Sequence, residues 1–382
     1  MSPAAKKKTR AKKRAPKSDE VRSDAENATN LLRWTGIAFL LLLAVTIFGL
    51  YIAYPRSHGP GAGNSAHIDV QTTDPDELSE QLGSAGLIAS PRVFAWYMRL
   101  TGASRSVVLG PHYLSDNLTP GELLRRLERR GGEHTKIVIP EGWTRFDIAN
   151  RLDAARVCPL RSFLTATEDR DLLTELKVPF DPDRPSAEGF LFPATYELEL
   201  DSEPREVVRR MVRQFDKRYA ALEEKHDSGL KDLEDSLHWG KREIVTLASM
   251  VEKEAAVDDE RPIIASVFLN RLRDPSFSPR KLQCDPTSAY GCFLGVAPSC
   301  VNFTGKITRE INLDPENTYS TYVHEGLPPG PISNPGAKSI EAVMSPALTH
   351  YFYFVAKGGG RHTFSETLGA HNAAVHGEGP QP

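Results

Sequence analysis

Two carboxylates set two residues apart carry the strongest chemical signal in this chain: Glu252 and Glu254, in the stretch Val251-Glu-Lys-Glu254. Read as a helix, residues 242–256 place Ile244, Leu247, Ala248, Val251 and Ala255 on one apolar stripe. At about 100° per residue, each glutamate falls about 80° from the centre of that stripe, on opposite margins. Residues two apart do not face each other, so the pair cannot work together on one substrate atom. A carboxyl at the edge of an apolar stripe is partly desolvated, which raises its pKa and lets it donate a proton near neutral pH. Helix geometry therefore points to a general acid but leaves open which glutamate it is. The alternative is an ion pair with Lys253 or Arg261 on a wet surface.

Other reactive side chains carry weaker signals. His362 and His371 have only Glu366 as a nearby acid and lack paired metal-ligand spacing, so they read as structural or substrate-contacting. Cys158, Cys284, Cys292 and Cys300 lack Cys-x-x-Cys spacing, which argues against zinc. Cys292 and Cys300 either close a short loop in an oxidising compartment or stay as buried thiols. Gly358-Gly-Gly360 lacks the strand-then-helix context of a phosphate loop. No metal and no cofactor is expected.

The elements that must position these residues follow from the local pattern. From His67 three short units repeat an extended stretch followed by a capped helix. In the first, His67–Val70 precedes Asp74-Pro-Asp-Glu77, where Asp74 can cap and Glu77 can bond back, and the helix runs to about Leu82. In the second, Val107–Ser115 precedes Thr119-Pro-Gly-Glu122; in the third, Lys136–Ile139 precedes Thr144–Asp147 and a helix through Leu152. Ser162–Leu176 reads as helix, 188–196 as an aromatic-rich loop or strand, and Pro204–Leu233 as a long charged helical region. From Lys241 two helices lead into loops rich in Gly and Pro.

Upstream, Trp34 to Tyr54 contains no charged residue, matching the roughly 20 apolar residues of a membrane-spanning helix. Trp34, Tyr51 and Tyr54 stand near its ends as interfacial aromatics, and no small-x-small cleavage site follows, so a retained anchor is expected rather than a cleaved signal. The net charge of -3 hides a basic run of Lys6, Lys7, Lys8, Arg10, Lys12, Lys13, Arg14 and Lys17. Its position before the span places this end in the cytoplasm, the rest of the chain outside, and no nucleic acid among the partners. Ser57–Ser65, with Gly59, Gly61 and Gly63, reads as a flexible linker.

The blocks Leu247–Glu254, Glu260-Arg261, Ala265–Leu272, Leu282–Thr287, Thr318–Tyr322, Gly326–Gly330, Asn334–Gly336, Tyr353–Val355, His362–Phe364 and His371-Asn372, with Glu141-Gly142 and Glu188–Pro193 upstream, resemble the endolytic murein transglycosylase (MltG, YceG-like) family. The resemblance implies that Glu254, the second glutamate of Glu-Lys-Glu, is the catalytic acid, leaving Glu252 a supporting or substrate-side role. It implies cleavage between N-acetylmuramic acid and N-acetylglucosamine within nascent strands, with 1,6-anhydromuramoyl ends and termination of glycan elongation. It also implies a LysM-like module before the catalytic domain. Sugar contacts are expected from Asn270, Gln283, Asp285, Thr287, Ser320, Tyr322 and His362, since amides, hydroxyls and carboxylates orient sugars by hydrogen bonds; for Asp285 a turn-forming role before Pro286 is the alternative. Cys284, Ser320 and the Cys292–Cys300 loop depart from the family's usual pattern.

The expected protein is α+β, on one transmembrane helix: a basic tail at 1–33, the span at 34–54, a linker at 55–66, a LysM-like module at 67–155, a connecting region at 156–240, a catalytic domain at 241–376 and a tail at 377–382. Expected partners are peptidoglycan strands and the inner membrane, with penicillin-binding proteins or other cell-wall synthesis machinery as candidate protein partners. A water-using muramidase and a non-catalytic peptidoglycan-binding or divisome scaffold are the rival readings.

Overall fold

The computed structural model describes residues 18–128 and 134–377; the basic run Lys6–Lys17 and the tail beyond 377 lie outside them. The first helix, α1 (Ser18–Ala53), begins well before the uncharged stretch and ends in a 3₁₀ turn, Tyr54–Arg56. From Arg33 to Arg56 the chain is long and apolar enough to cross a membrane; its most apolar stretch is not buried in the rest of the protein, while Tyr54 at its end packs on the first core.

The segment that follows is not a free linker. Gly61 N–H donates to the Asp116 carbonyl at 3.1 Å and Gly63 N–H to Asp116 Oδ1 at 2.7 Å, while Asp116 N–H donates to the Asn64 carbonyl at 3.0 Å. A Cβ on Gly61 would stand 1.8 Å from Asp116 Oδ2, and one on Gly59 would stand 2.1 Å from its carbonyl oxygen. These glycines are there for close approach, a use that composition cannot separate from flexibility.

A small first core follows. Strand β1 (Ser65–Val70), helices α2 (Pro75–Ser84) and α3 (Pro91–Thr101), strand β2 (Gly110–Ser115) and α4 (Pro120–Leu127) enclose Val70, Leu78, Leu82, Phe94, Met98, Leu114, Leu123 and Leu127. The strands pair antiparallel, from Ser65 opposite Ser115 to Val70 opposite Gly110. Asp74 caps α2 by accepting from Asp76 N and Glu77 N, but its own N–H goes to Thr72 Oγ1 rather than to Glu77. Thr119 and Glu122 form the expected capping box on α4. Helix α3 was not foreseen: Ser90 makes no side-chain cap, and Val93-Phe-Ala-Trp-Tyr97 suits a strand as well.

The third expected unit belongs elsewhere. Strand β3 (His134–Val138) pairs antiparallel with β4 (Thr195–Glu199), and α5 (Arg145–Ala154), capped by Thr144 and Asp147, packs into a second, larger core. The division between cores thus falls between Leu127 and His134 rather than at 155, because the pattern of a unit does not reveal which partner strand it pairs with. The expected connecting region, 156–240, is also part of this core. Helices α6 (Leu160–Thr167) and α7 (Arg170–Glu175) bury Phe163, Leu172 and Leu173. The charged helix α8 (Pro204–Lys225) buries Val208, Val212, Phe215 and Tyr219 on one face, and α9 (Asp227–Leu237) is separate from it.

The remaining elements are α10 (Lys241–Glu254), α11 (Arg261–Arg273), α12 (Asp285–Phe293), α13 (Arg309–Leu313), α14 (Ala337–Met344), the hairpin β5 (Tyr353–Gly358) and β6 (Arg361–Ser365), and α15 (Leu368–Val375). Three separate two-stranded sheets among many helices make the described fold mixed α and β, as expected. Cys292 and Cys300 are joined as a disulfide, while Cys158 and Cys284 are free and buried.

Two ion pairs of one arginine tie the two cores together. Arg126 of α4, buried, donates to Asp201 Oδ1 and to Asp153 Oδ1, each at 3.1 Å, and the Asp201 side chain is only 7 % exposed. Removing one partner of a buried pair leaves the other charge desolvated, so Arg126→Met should lower the unfolding free energy by about 3 kcal/mol in urea denaturation. Adding Asp201→Asn should restore part of that loss.

Candidate active site

Helix α10 is buried without a break from Ile244 to Val251, and it ends at the pair of glutamates. Glu252 turns toward α14. Its Oε2 accepts from Gly336 N–H at 3.0 Å and Ser339 Oγ at 2.7 Å, and its Oε1 accepts from Arg261 Nη2 at 3.1 Å. Gly336 is the N-cap of α14, so the carboxylate sits where the helix dipole favours negative charge. With three donors and little exposure, Glu252 clamps α10, α11 and α14 together.

Glu254 points to the other side, into a cleft of about 420 Å³ that Arg271, Gln283, Asp285, Tyr322, Tyr353, Phe354, His362 and His371 help to line. The Cys284 thiol donates to Glu254 Oε1 at 3.2 Å. Burial holds the Glu254 carboxyl above its ordinary range and the charge of Asp285 adds to this, against the thiol hydrogen bond, His362 and Arg271. Burial, with Glu254 beside it, also pushes the Cys284 thiol well up, which keeps it a donor. Around them, Asp285 Oδ1 accepts from Tyr322 Oη at 2.7 Å and from Asn312 Nδ2 at 2.8 Å. Gln283 is held at φ 53°, a left-handed backbone, with its N–H on the Thr321 carbonyl. His362 is oriented by Glu260, whose carboxylate takes the backbone N–H at 3.1 Å and lies 2.8 Å from Nδ1. This arrangement sets a buried carboxyl in a groove walled by polar and aromatic groups.

A model of the YceG-like family matches residues 69–377. This chain belongs to that family. It is 30% identical over 304 residues to an endolytic murein transglycosylase of Bacillus subtilis (strain 168), covering 75% of this chain and 77% of that protein. It is 26% identical over 349 residues to an endolytic murein transglycosylase of Streptococcus pneumoniae serotype 2, covering 84% of this chain and 60% of that protein. A crystal structure of a yceG-like protein from Listeria monocytogenes superposes with a TM-score of 0.52 at 27% identity, over 82% of this chain and all of that one.

Of the expected sugar contacts, Gln283, Asp285, Tyr322 and His362 line the cleft of this YceG-like chain, and four residues do not. Asn270 Nδ2 donates to the carbonyls of Thr349 and Tyr351, bracing the approach to β5. Thr287 is buried and donates to the Cys284 carbonyl at 2.6 Å; Ser320 is buried and donates to the Asn312 carbonyl at 2.5 Å. Glu252 is the clamp described above. In each case the polar atom serves nearby backbone or the fold, and residue type alone gives no direction. Asp285 opens α12 instead of making a turn. Arg271 and Tyr353 were not foreseen in the cleft. Arg271 bonds the Phe352 and Leu282 carbonyls while its guanidinium lies over the Tyr353 ring at 5.5 Å, and His371 stacks on Tyr353 at 5.3 Å. The aromatic run around Tyr353 was the available signal.

Behind the cleft, Glu188 joins three segments. It accepts from the Arg145 N–H at 3.0 Å, Tyr290 Oη at 2.8 Å and Asn334 Nδ2 at 2.6 Å. Burial pushes its carboxyl up to about 7, although Arg145 opposes the shift. Its folded pKa exceeds the unfolded value, so the folded state binds the extra proton between the two, and stability from this group falls as pH rises through that window. Glu188→Gln should flatten the stability–pH curve between about pH 4.5 and 7 by up to about 3 kcal/mol, measured by urea denaturation at stepped pH.

Proposed function

We propose that this YceG-like protein is an endolytic murein transglycosylase, a carbon–oxygen lyase acting on a polysaccharide, with Glu254 as its single acid/base. The observation that carries the residue assignment is the contrast between the two glutamates. Glu252 is saturated by three donors, whereas Glu254 lies in the cleft with the Cys284 thiol donating to it and a raised pKa. Relatives that are endolytic murein transglycosylases support the proposed reaction.

In the proposed sequence, protonated Glu254 gives its proton to the oxygen linking N-acetylmuramic acid to the next N-acetylglucosamine, and the C1–O bond breaks. The Glu254 carboxylate then takes the proton of the muramoyl 6-hydroxyl as that oxygen closes on C1, which yields a 1,6-anhydromuramoyl end, restores the acid and consumes no water. Asp285, held by Tyr322, supplies negative charge near the developing oxocarbenium. Gln283 and His362 orient the sugars, and Tyr353 with His371 offers a stacking face.

The wider arrangement is part of the same proposal. The 34–54 span anchors the protein with its N-terminus in the cytoplasm, and the β1-α2-α3-β2 unit is a LysM-like module. The residues from 134 onward form the catalytic domain outside the membrane, beside penicillin-binding proteins or other synthases that deliver new strands. Cutting such strands terminates their elongation.

Digestion of purified glycan followed by mass spectrometry should give anhydromuramoyl ends; reducing ends would indicate hydrolysis and intact strands a scaffold. Glu254→Gln should lower turnover by about 10³-fold, within the range for loss of a general acid, and full activity of that variant would sink the assignment. Because the Cys284 hydrogen bond stabilises the Glu254 carboxylate, Cys284→Ala should raise the Glu254 pKa and move the alkaline limb of the pH–rate profile to higher pH.

A further inference from the structure

One apolar surface away from the cleft is left uncovered. On α3, Val93, Trp96 and Leu100 are 42, 41 and 51 % exposed, and at about 100° per residue they share an arc of about 60°. Tyr97 lies between this arc and the buried face formed by Phe94 and Met98. The apolar first helix arrives at that margin: the Tyr54 ring meets Tyr97 edge-on at 5.4 Å, and Tyr51, in the last turn of α1, lies 6.5 Å from it. On the opposite margin of the arc stand Arg92 and Arg99, both exposed, with Arg99 paired to Asp76. A tryptophan and two aliphatic residues flanked by arginines match the composition of a helix lying in a membrane interface.

Tyr51 and Tyr54 end the segment that is apolar enough to cross a membrane, so the bilayer surface around that segment lies at their level. Ring contact holds the middle of α3 at the same level. We propose that α3 is an interfacial helix docked on the lipid surface of the bilayer that α1 crosses, with Val93, Trp96 and Leu100 at the headgroup–acyl boundary and Arg92 toward the phosphates. The inference rests on α1 being a membrane anchor. Docking gives the protein a second attachment beside the first, which stops the small module from swivelling on its anchor and sets its height above the membrane.

The test uses the full chain in nanodiscs containing spin-labelled lipid, with an environment-sensitive fluorophore on Leu100→Cys or, as a control remote in sequence on exposed α9, on Lys231→Cys; Cys158 and Cys284 are buried. Quenching at position 100 should exceed that at 231 at least about threefold, as for a side chain at the acyl boundary, and adding Trp96→Asp should bring it down toward the control. Equal quenching at both positions in protein that resists alkaline carbonate extraction overturns the docking and leaves the anchor standing. Extraction by carbonate overturns the anchor and the docking with it. A position-100 label shielded from aqueous iodide but not quenched by lipid also overturns the proposal, in favour of a protein partner.

Discussion

A helix packed on nearly every side cannot carry two carboxylates at its end unless each finds a partner, since a desolvated charge without one costs several kcal/mol. Helix α10 meets this constraint in two different ways. Glu252 is given Arg261, the Ser339 hydroxyl and the N-terminus of α14 as donors. Glu254 is given a thiol, a weak donor, beside the carboxylate of Asp285. The two side chains share one sequence motif and one helix turn, yet one is met by three donors and the other by a single thiol. The placement of α11, α12 and α14 follows from this, because each supplies or supports one of those partners.

The shell behind the cleft keeps these partners in register. Thr321 takes part twice, its carbonyl accepting from Gln283 N–H and its hydroxyl from Cys284 N–H at 3.0 Å, while Thr287 Oγ1 holds the Cys284 carbonyl. The backbone of Gln283 and Cys284 is thereby fixed, including the left-handed turn at Gln283, and the thiol is aimed at Glu254. Glu188 and Asn334 connect α5, α12 and the loop leading to α14, so the cleft wall built on α12 is joined to the opposite side of the larger core. Residues expected to touch sugar, such as Thr287 and Asn270, contribute through this indirect route.

Much of this was legible in the sequence where the information is local. The apolar stripe of α10 and the capping residues Asp74, Thr119 and Thr144 each mark an element that the fold contains, because a helix period and a cap depend on residues within one or two turns. What failed was long-range. That Tyr290 would donate to Glu188, 102 residues away, or that β3 would pair with β4 rather than belong to the first module, depends on partners no local pattern names. Gly59 and Gly61 read as flexible because the absence of a side chain serves both freedom and close contact, and only Asp116 decides between them. The choice of Glu254 over Glu252 came from family resemblance, because helix geometry left the two alike, and the difference in their surroundings depends on partners from distant segments.

On the proposed mechanism, one carboxyl must act first as acid and then as base without admitting water as the nucleophile. A hydrolytic enzyme would need a second carboxylate free to activate water across the sugar from the first. Asp285 is the other carboxylate lining the cleft, but its Oδ1 already accepts from Tyr322 and Asn312, which fixes its position. The same tether keeps its negative charge close enough to raise the Glu254 pKa. A fixed anion of this kind suits stabilisation of a cationic transition state better than deprotonation of a mobile water. The division of labour in the proposed mechanism matches how the two acids of this cleft are held: Glu254 by a thiol, a weak donor, and Asp285 by two firm donors on one oxygen.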